Sequence, residues 1–110
     1  MKFHVNDISG RIVKEDERYI VRDNDYLKQL MLSSTLLHPL SSTTGHHHEG
    51  QEEYYLFVNG EGTITVGEKV DRISAGDIIP IPDGEFHRVI NTSTTQPLYF
   101  VCIFNGIRDV

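Results

Sequence analysis

The chain is poor in several features that would otherwise define it. It has one cysteine, Cys102, so no internal disulfide is available. Cys102 lies in the apolar run 97–104, where buried packing is a simpler role than metal ligation. No apolar run approaches the length of a membrane span. The first residues, Met1 to Asp7, lack the apolar stretch of a secretory signal, so a cytoplasmic protein is expected. Basic residues are outnumbered, 10 Lys and Arg against 16 Asp and Glu, for a formal net charge of −6. Those present are scattered rather than striped, which argues against a nucleic-acid partner. An anionic small substrate is still compatible with this charge, because a bound divalent metal supplies local positive charge. No internal repeat or linker divides the 110 residues, which suffice for one domain over positions 1–110 and leave no room for a second.

What is present reads as all-β. Short strands are expected at 11–15, 18–22, 30–37, 54–58, 63–66, 78–81, 86–91 and 98–104, separated by turns rich in Gly, Pro and Asn. The run 27–37 has some helical spacing, but Ser33, Ser34, Thr35 and the closing His38-Pro39 favour a strand. Positions 23–26 and 67–69 read as turns. Asn59-Gly60-Glu61-Gly62 reads as a tight hairpin, because Asn-Gly favours positive φ.

Histidine is concentrated. His46, His47 and His48 stand together, followed by Glu52 and Glu53, and His87 stands in a second segment. On an extended strand His46 and His48 project from one face and His47 from the other, so His47 is expected at the surface or rim. Glu53 lies five positions after His48, with Gly50 between to allow a bend. Three imidazoles and one carboxylate form a mixed nitrogen and oxygen donor set, suited to iron, manganese, nickel, cobalt or zinc.

At these residues the sequence resembles the cupin superfamily. Its first motif, G-x5-H-x-H-x(3,4)-E-x6-G, is met by His46, His48, Glu53 and Gly60; its second, G-x5-P-x-G-x2-H-x3-N, is met by Gly76, Pro82, Gly84, His87 and Asn91. The motifs occupy about 40–60 and 76–91. One position departs: the first glycine falls on Leu40, so the turn before the histidines is expected to be built differently, from Pro39 and Gly45. The six-residue interval to Gly60 favours Glu53 over Glu52. The resemblance implies a double-stranded β-helix, or jelly-roll barrel, with a divalent transition metal in its mouth held by His46, His48, Glu53 and His87. Gly76, Pro82 and Gly84 are expected to shape the turns that bring in His87. Asn91 is expected to support either the strand or the site, and His38 to be a loop residue.

The resemblance does not imply one reaction, since fold and function are separable. Four protein ligands leave two octahedral positions, enough for a substrate that chelates through two oxygens, with the metal as Lewis acid or, for iron or manganese, as a site for dioxygen. Tetrahedral zinc would be saturated and structural. The function expected is a metal-dependent enzyme on a small oxygen-rich substrate, as isomerase or epimerase of a sugar or hydroxy acid, or as dioxygenase. The alternative is a non-catalytic module that binds a small molecule or sugar. A storage role has no need of a full ligand set. Glu53, Tyr55 and Phe57 share one strand face. If it points inward, Tyr55 is the candidate for proton transfer and substrate contact, and Phe57 for an apolar wall. Tyr54, Leu56 and Val58 then face outward and need cover. A homodimer is expected to provide it, with the N-terminal segment of the same chain as the competing cover.

Overall fold

The computed structural model describes residues 1–47 and 49–106. Its nine strands are β1 (Arg11–Glu15), β2 (Tyr19–Asn24), β3 (Leu30–Leu37), β4 (Glu53–Asn59), β5 (Glu61–Val66), β6 (Lys69–Ser74), β7 (Ile78–Ile81), β8 (His87–Asn91) and β9 (Leu98–Asn105). They form two antiparallel sheets, one ordered β1-β2-β3-β9-β4-β7 and the other β6-β5-β8. Among the described residues there is no helix, and so none long and apolar enough to cross a membrane.

Alternation along the strands builds the core. In β9, Leu98, Phe100, Cys102 and Phe104 are buried, and across the ladder they meet Phe57, Tyr55 and Glu53 of β4 and the buried residues of β3. The smaller sheet contributes Ile64, Val89 and Ile73 from its inner face to the same cluster. Aromatic rings fill the centre: Tyr55 stacks on Phe100 at 5.1 Å between centroids, and Phe57 packs on Phe100 at 5.2 Å. Each such pair adds about 0.5–1.5 kcal/mol to the area it buries. Cys102 packs in this cluster as expected. The result is the jelly-roll barrel that the cupin resemblance implied.

The residues preceding β4 extend the smaller sheet. Backbone bonds join Asn91 N–H to Ser41 O, Thr43 N–H to Val89 O, and His46 and His87 to each other in both directions. The bridges Ser42↔Ile90 and His46↔His87 are four residues apart on one side and three on the other. That extra residue has the count of a β-bulge, a device that re-aims side chains. It sets His46 beside His87.

Several expectations are corrected. The Asn59–Gly62 segment is not a hairpin: β4 pairs with β7 and β9, whereas β5 pairs with β6 and β8. Both edges of β4 are already occupied, so the positive φ of Gly60 (95°) turns a corner between sheets. A Cβ at Gly60 would collide with the Pro97 carbonyl and Leu98. The true two-residue hairpin is Gly67-Glu68, where Val66 faces Lys69. It leads into β6, a strand without a sequence expectation, because Val70, Asp71 and Arg72 are exposed on an edge and show no buried alternation. Asp23 and Asn24 belong to β2 rather than to a turn; Asp23 is buried and Asn24 donates to the Ile8 carbonyl.

The turn before the histidines uses Pro39, as expected: Ser41 N–H donates to His38 O across Pro39 and Leu40. Leu40 adopts φ 59° itself, the left-handed conformation that glycine takes without cost. A left-handed leucine therefore stands at the position where the motif has glycine.

Candidate metal centre

Glu53 opens β4 and His87 opens β8, at the same end of the barrel, and the bulged segment brings His46 to them. The ligand atoms offered by His46, Glu53 and His87 lie within 4.8 Å of one another. Glu53 rather than Glu52 is brought in, as the interval to Gly60 indicated; Glu52 is exposed. His47 is exposed, as alternation required. His48 lies outside the described residues.

Backbone carbonyls orient both imidazoles. The Nδ1 of His46 lies 3.1 Å from Thr44 O, and the Nδ1 of His87 lies 3.1 Å from Glu85 O. A carbonyl only accepts, so each Nδ1 carries the proton as donor and each Nε2 presents its lone pair. In both cases the acceptor is the residue two positions earlier. The sequence motifs give no sign of these two carbonyls, because any residue type supplies one.

The Nε2 of His87 is buried and has no hydrogen-bond partner among the described residues. It sits 3.1 Å from Glu53 Oε2. The separation is in ion-pair range, but the approach is not that of a hydrogen bond, and in this tautomer two acceptors face each other. Left so, the pair is repulsive and desolvated. A cation between them relieves both problems. Two ligands about 2.1 Å from one ion at right angles are about 3.0 Å apart, close to the observed spacing. The residues therefore fit a divalent transition metal. The His46 and His87 rings meet edge to face at 4.3 Å, and Tyr55 lies edge to face with His87 at 5.7 Å.

The two ligand-bearing loops are fastened together. Gly50 N–H donates to Asp83 Oδ1 at 2.6 Å. Gly45 lies against the Phe86 ring, where any Cβ would overlap it. Asp83 and the Gly45–Phe86 contact are support that the motif spacing leaves unmarked. Tyr55 and Phe57 both face inward and are buried, Tyr55 nearer the ligands and Phe57 deeper.

Asn91 proves remote in role from this centre. It is fully buried at the opposite end of β8, with Nδ2 directed at the carbonyls of Leu37, His38 and Gln96 and Oδ1 accepting from Ser93 N–H. It pins loops to the strand end. His38 likewise serves through its backbone, as a loop residue.

Comparison with known proteins agrees with this geometry. The chain is 37% identical over 69 residues to an oxalate-binding protein of Thermotoga maritima, a match covering 63% of this chain and 57% of that protein. The chain thus matches little more than half of that relative's length. Among solved structures, a predicted oxalate decarboxylase of Thermotoga maritima superposes with a TM-score of 0.75 at 26% identity, covering 97% of this chain and all of the other (100%). KdgF of Halomonas sp. superposes with a TM-score of 0.78 at 17% identity, covering 90% and 88% of the two chains, a likeness of fold alone. The model of the cupin domain matches residues 35–104, which contain both motifs and all the converging side chains. This chain belongs to the cupin family.

Proposed function

We propose that the protein is a metal-dependent enzyme that binds one divalent transition ion through His46, His48, Glu53 and His87 and acts on a small oxygen-rich substrate. The observation that carries this reading is the buried His87 Nε2, which has no hydrogen-bond partner among the described residues and faces Glu53 Oε2 at 3.1 Å. When bound, the ion supplies Lewis-acid polarisation of substrate oxygens, with redox chemistry available to iron or manganese. The chain's own residues position the reaction. Thr44 O and Glu85 O fix the imidazole tautomers. The phenol of Tyr55, the inward tyrosine beside His87, is the group assigned to proton transfer, and Phe57 forms an apolar wall below it. Isomerisation or epimerisation of a sugar or hydroxy acid fits this equipment, as does dioxygenation.

Elemental analysis of untagged protein tests the metal: about one transition ion per chain is expected, and the loss of most of it in Glu53→Ala and His87→Ala. Unchanged metal content in both variants would remove the proposed site. Exchange of substrate C–H for deuterium from solvent identifies isomerisation, and oxygen uptake identifies dioxygenation. Binding without either supports a second reading, a non-catalytic module for a small molecule. The oxalate-binding relative favours that second reading.

The reading includes a cytoplasmic homodimer. The outer face of β4, β7 and β9 presents Tyr54, Ile78 and Ile103 to solvent, 56%, 58% and 38% exposed. The N-terminal segment covers another part of that sheet, where Tyr99 Oη donates to Val5 O and Asn59 Nδ2 approaches Asn6 Oδ1. These exposed apolar side chains suit a second copy of the chain. Sedimentation should give a dimer, and Ile103→Lys a monomer; a monomeric wild type would end this part of the proposal.

A further inference from the structure

Both candidate imidazoles are oriented by backbone carbonyls, but the two carbonyls are held in different ways. Glu85 is tied into its own turn: its N–H donates to Pro82 O at 3.2 Å, and the neighbouring Phe86 O accepts from Gly67 N–H at 2.7 Å. Thr44 lies between two backbone links to β8, the Thr43 N–H to Val89 O bond and the reciprocal His46 and His87 pair. Among the described residues neither Thr44 nor Gly45 makes a backbone–backbone hydrogen bond. The peptide that carries the Thr44 carbonyl thus has no ladder to fix its tilt, and the glycine after it adds freedom. The Phe86 ring packs on Gly45, but such contact does not direct a carbonyl. The directional tie comes from another part of the chain: Arg18 Nη1 donates to Thr44 Oγ1 at 2.9 Å.

Arg18 is itself held firmly. Its backbone N–H donates to Asp16 Oδ1 at 2.8 Å, its carbonyl accepts from His38 N–H at 2.9 Å, and its Nη2 donates to Asp16 Oδ2 at 2.9 Å. The guanidinium also lies over the ring of the buried Tyr19, 4.8 Å from its centroid. A planar fork holds Asp16 with one nitrogen and Thr44 with the other, a geometry that a lysine ammonium on its flexible stem does not reproduce. We propose that Arg18, in the turn between β1 and β2, is a positioning residue of the candidate centre: through Thr44 it fixes the carbonyl that keeps His46 protonated at Nδ1, with Nε2 presenting its lone pair. The proposal rests on the metal-binding reading above and adds to it a residue outside both motifs. It also makes the two histidines unequal, since His87 takes its orientation from a turn that Arg18 does not touch.

The test reads the imidazoles directly, by long-range proton–nitrogen correlation spectra of the metal-free protein at about pH 8, where neutral imidazole prevails. Wild type should show His46 and His87 both protonated at Nδ1. Arg18→Gln should move His46 to a mixture of tautomers and leave His87 unchanged. Thr44→Val, which removes the hydroxyl at nearly constant shape, should reproduce that change, and Thr44→Ser should restore the wild-type spectrum. In Zn²⁺ titrations against a chromophoric chelator, Arg18→Gln and Thr44→Val should each bind on the order of tenfold more weakly, and Thr44→Ser like wild type. The double variant should be no weaker than either single one, because both cut the same link. A His46 tautomer or a Zn²⁺ affinity left unchanged by Arg18→Gln and Thr44→Val overturns the proposal while leaving the metal site standing. Losses that add in the double variant overturn it as well. Thr44 is exposed, so its two variants decide the matter if Arg18→Gln does not fold. Failure of wild type to take up Zn²⁺ overturns the metal reading, while the metal-free spectra still show whether Arg18 governs His46.

Discussion

Two buried polar side chains on one strand, His87 and Asn91, sit four residues apart with the same inward parity, and their environments are opposite. Asn91 is surrounded by partners: three carbonyls accept from its amide and a backbone N–H donates to its oxygen. His87 has its Nδ1 anchored on Glu85 O and its Nε2 left against a carboxylate oxygen without a hydrogen bond. Burial without satisfaction is costly, so a protein keeps such a group where something from outside completes it. The end of the barrel with Asn91 is closed by its own chain. The end with His87 gathers ligand atoms of His46, Glu53 and His87, and is where we propose an ion binds.

Substitutions should separate the two ends. The largest effect is expected from His87→Ala, which should weaken metal binding by at least about a hundredfold, measured by competition with a chromophoric chelator. Asn91→Ala should do the reverse. It removes the amide that ties the Leu37, His38 and Gln96 carbonyls to the strand and should cost about 2–3 kcal/mol in a denaturant melt, while leaving metal affinity within about threefold of wild type. If Asn91→Ala removed the metal as well, the two ends would be one cooperative unit and the contrast would fail.

Gly45→Ala should come next. Its Cβ would force Phe86 aside and loosen the bridge between His46 and His87, so metal affinity should fall on the order of tenfold with a smaller loss of stability. Leu40→Gly should stabilise. A leucine in the left-handed region costs about 1–2 kcal/mol. The greater freedom of glycine in the unfolded chain returns about 0.5–1 kcal/mol of that, leaving a modest rise in melting temperature. The smallest effect belongs to the half-buried Asp16. The Arg18 guanidinium hydrogen-bonded to it holds its carboxyl below the ordinary range. The pair therefore stabilises above the ordinary carboxylate range and loses this as pH falls through the lowered value. Asp16→Asn should be close to silent at neutral pH and should flatten the acid limb only slightly.

Much of this was legible in the residues. Alternation from Glu53 to Phe57 indicated which side chains share the inward face, because strand parity is a local property. The match to the cupin motifs, rather than strand geometry, picked out His46, Glu53 and His87 as the converging side chains. The edge strand β6 was illegible because no buried face disciplines its sequence. The Asn59-Gly60 turn misled because local φ preference is the same for a hairpin and for a corner between sheets. Only the partners of β4 distinguish them.

By itself, then, the sequence determined an all-β chain with four metal-competent side chains at cupin spacing, since these follow from residue type and interval. Tertiary structure decided what no interval encodes: that Thr44 and Glu85 carbonyls set both imidazole tautomers, that Asn91 is spent on loop carbonyls, and that Asp83 of one ligand-bearing segment holds Gly50 of the other. Each of these depends on which backbone comes to lie beside which, and only the closed barrel fixes that.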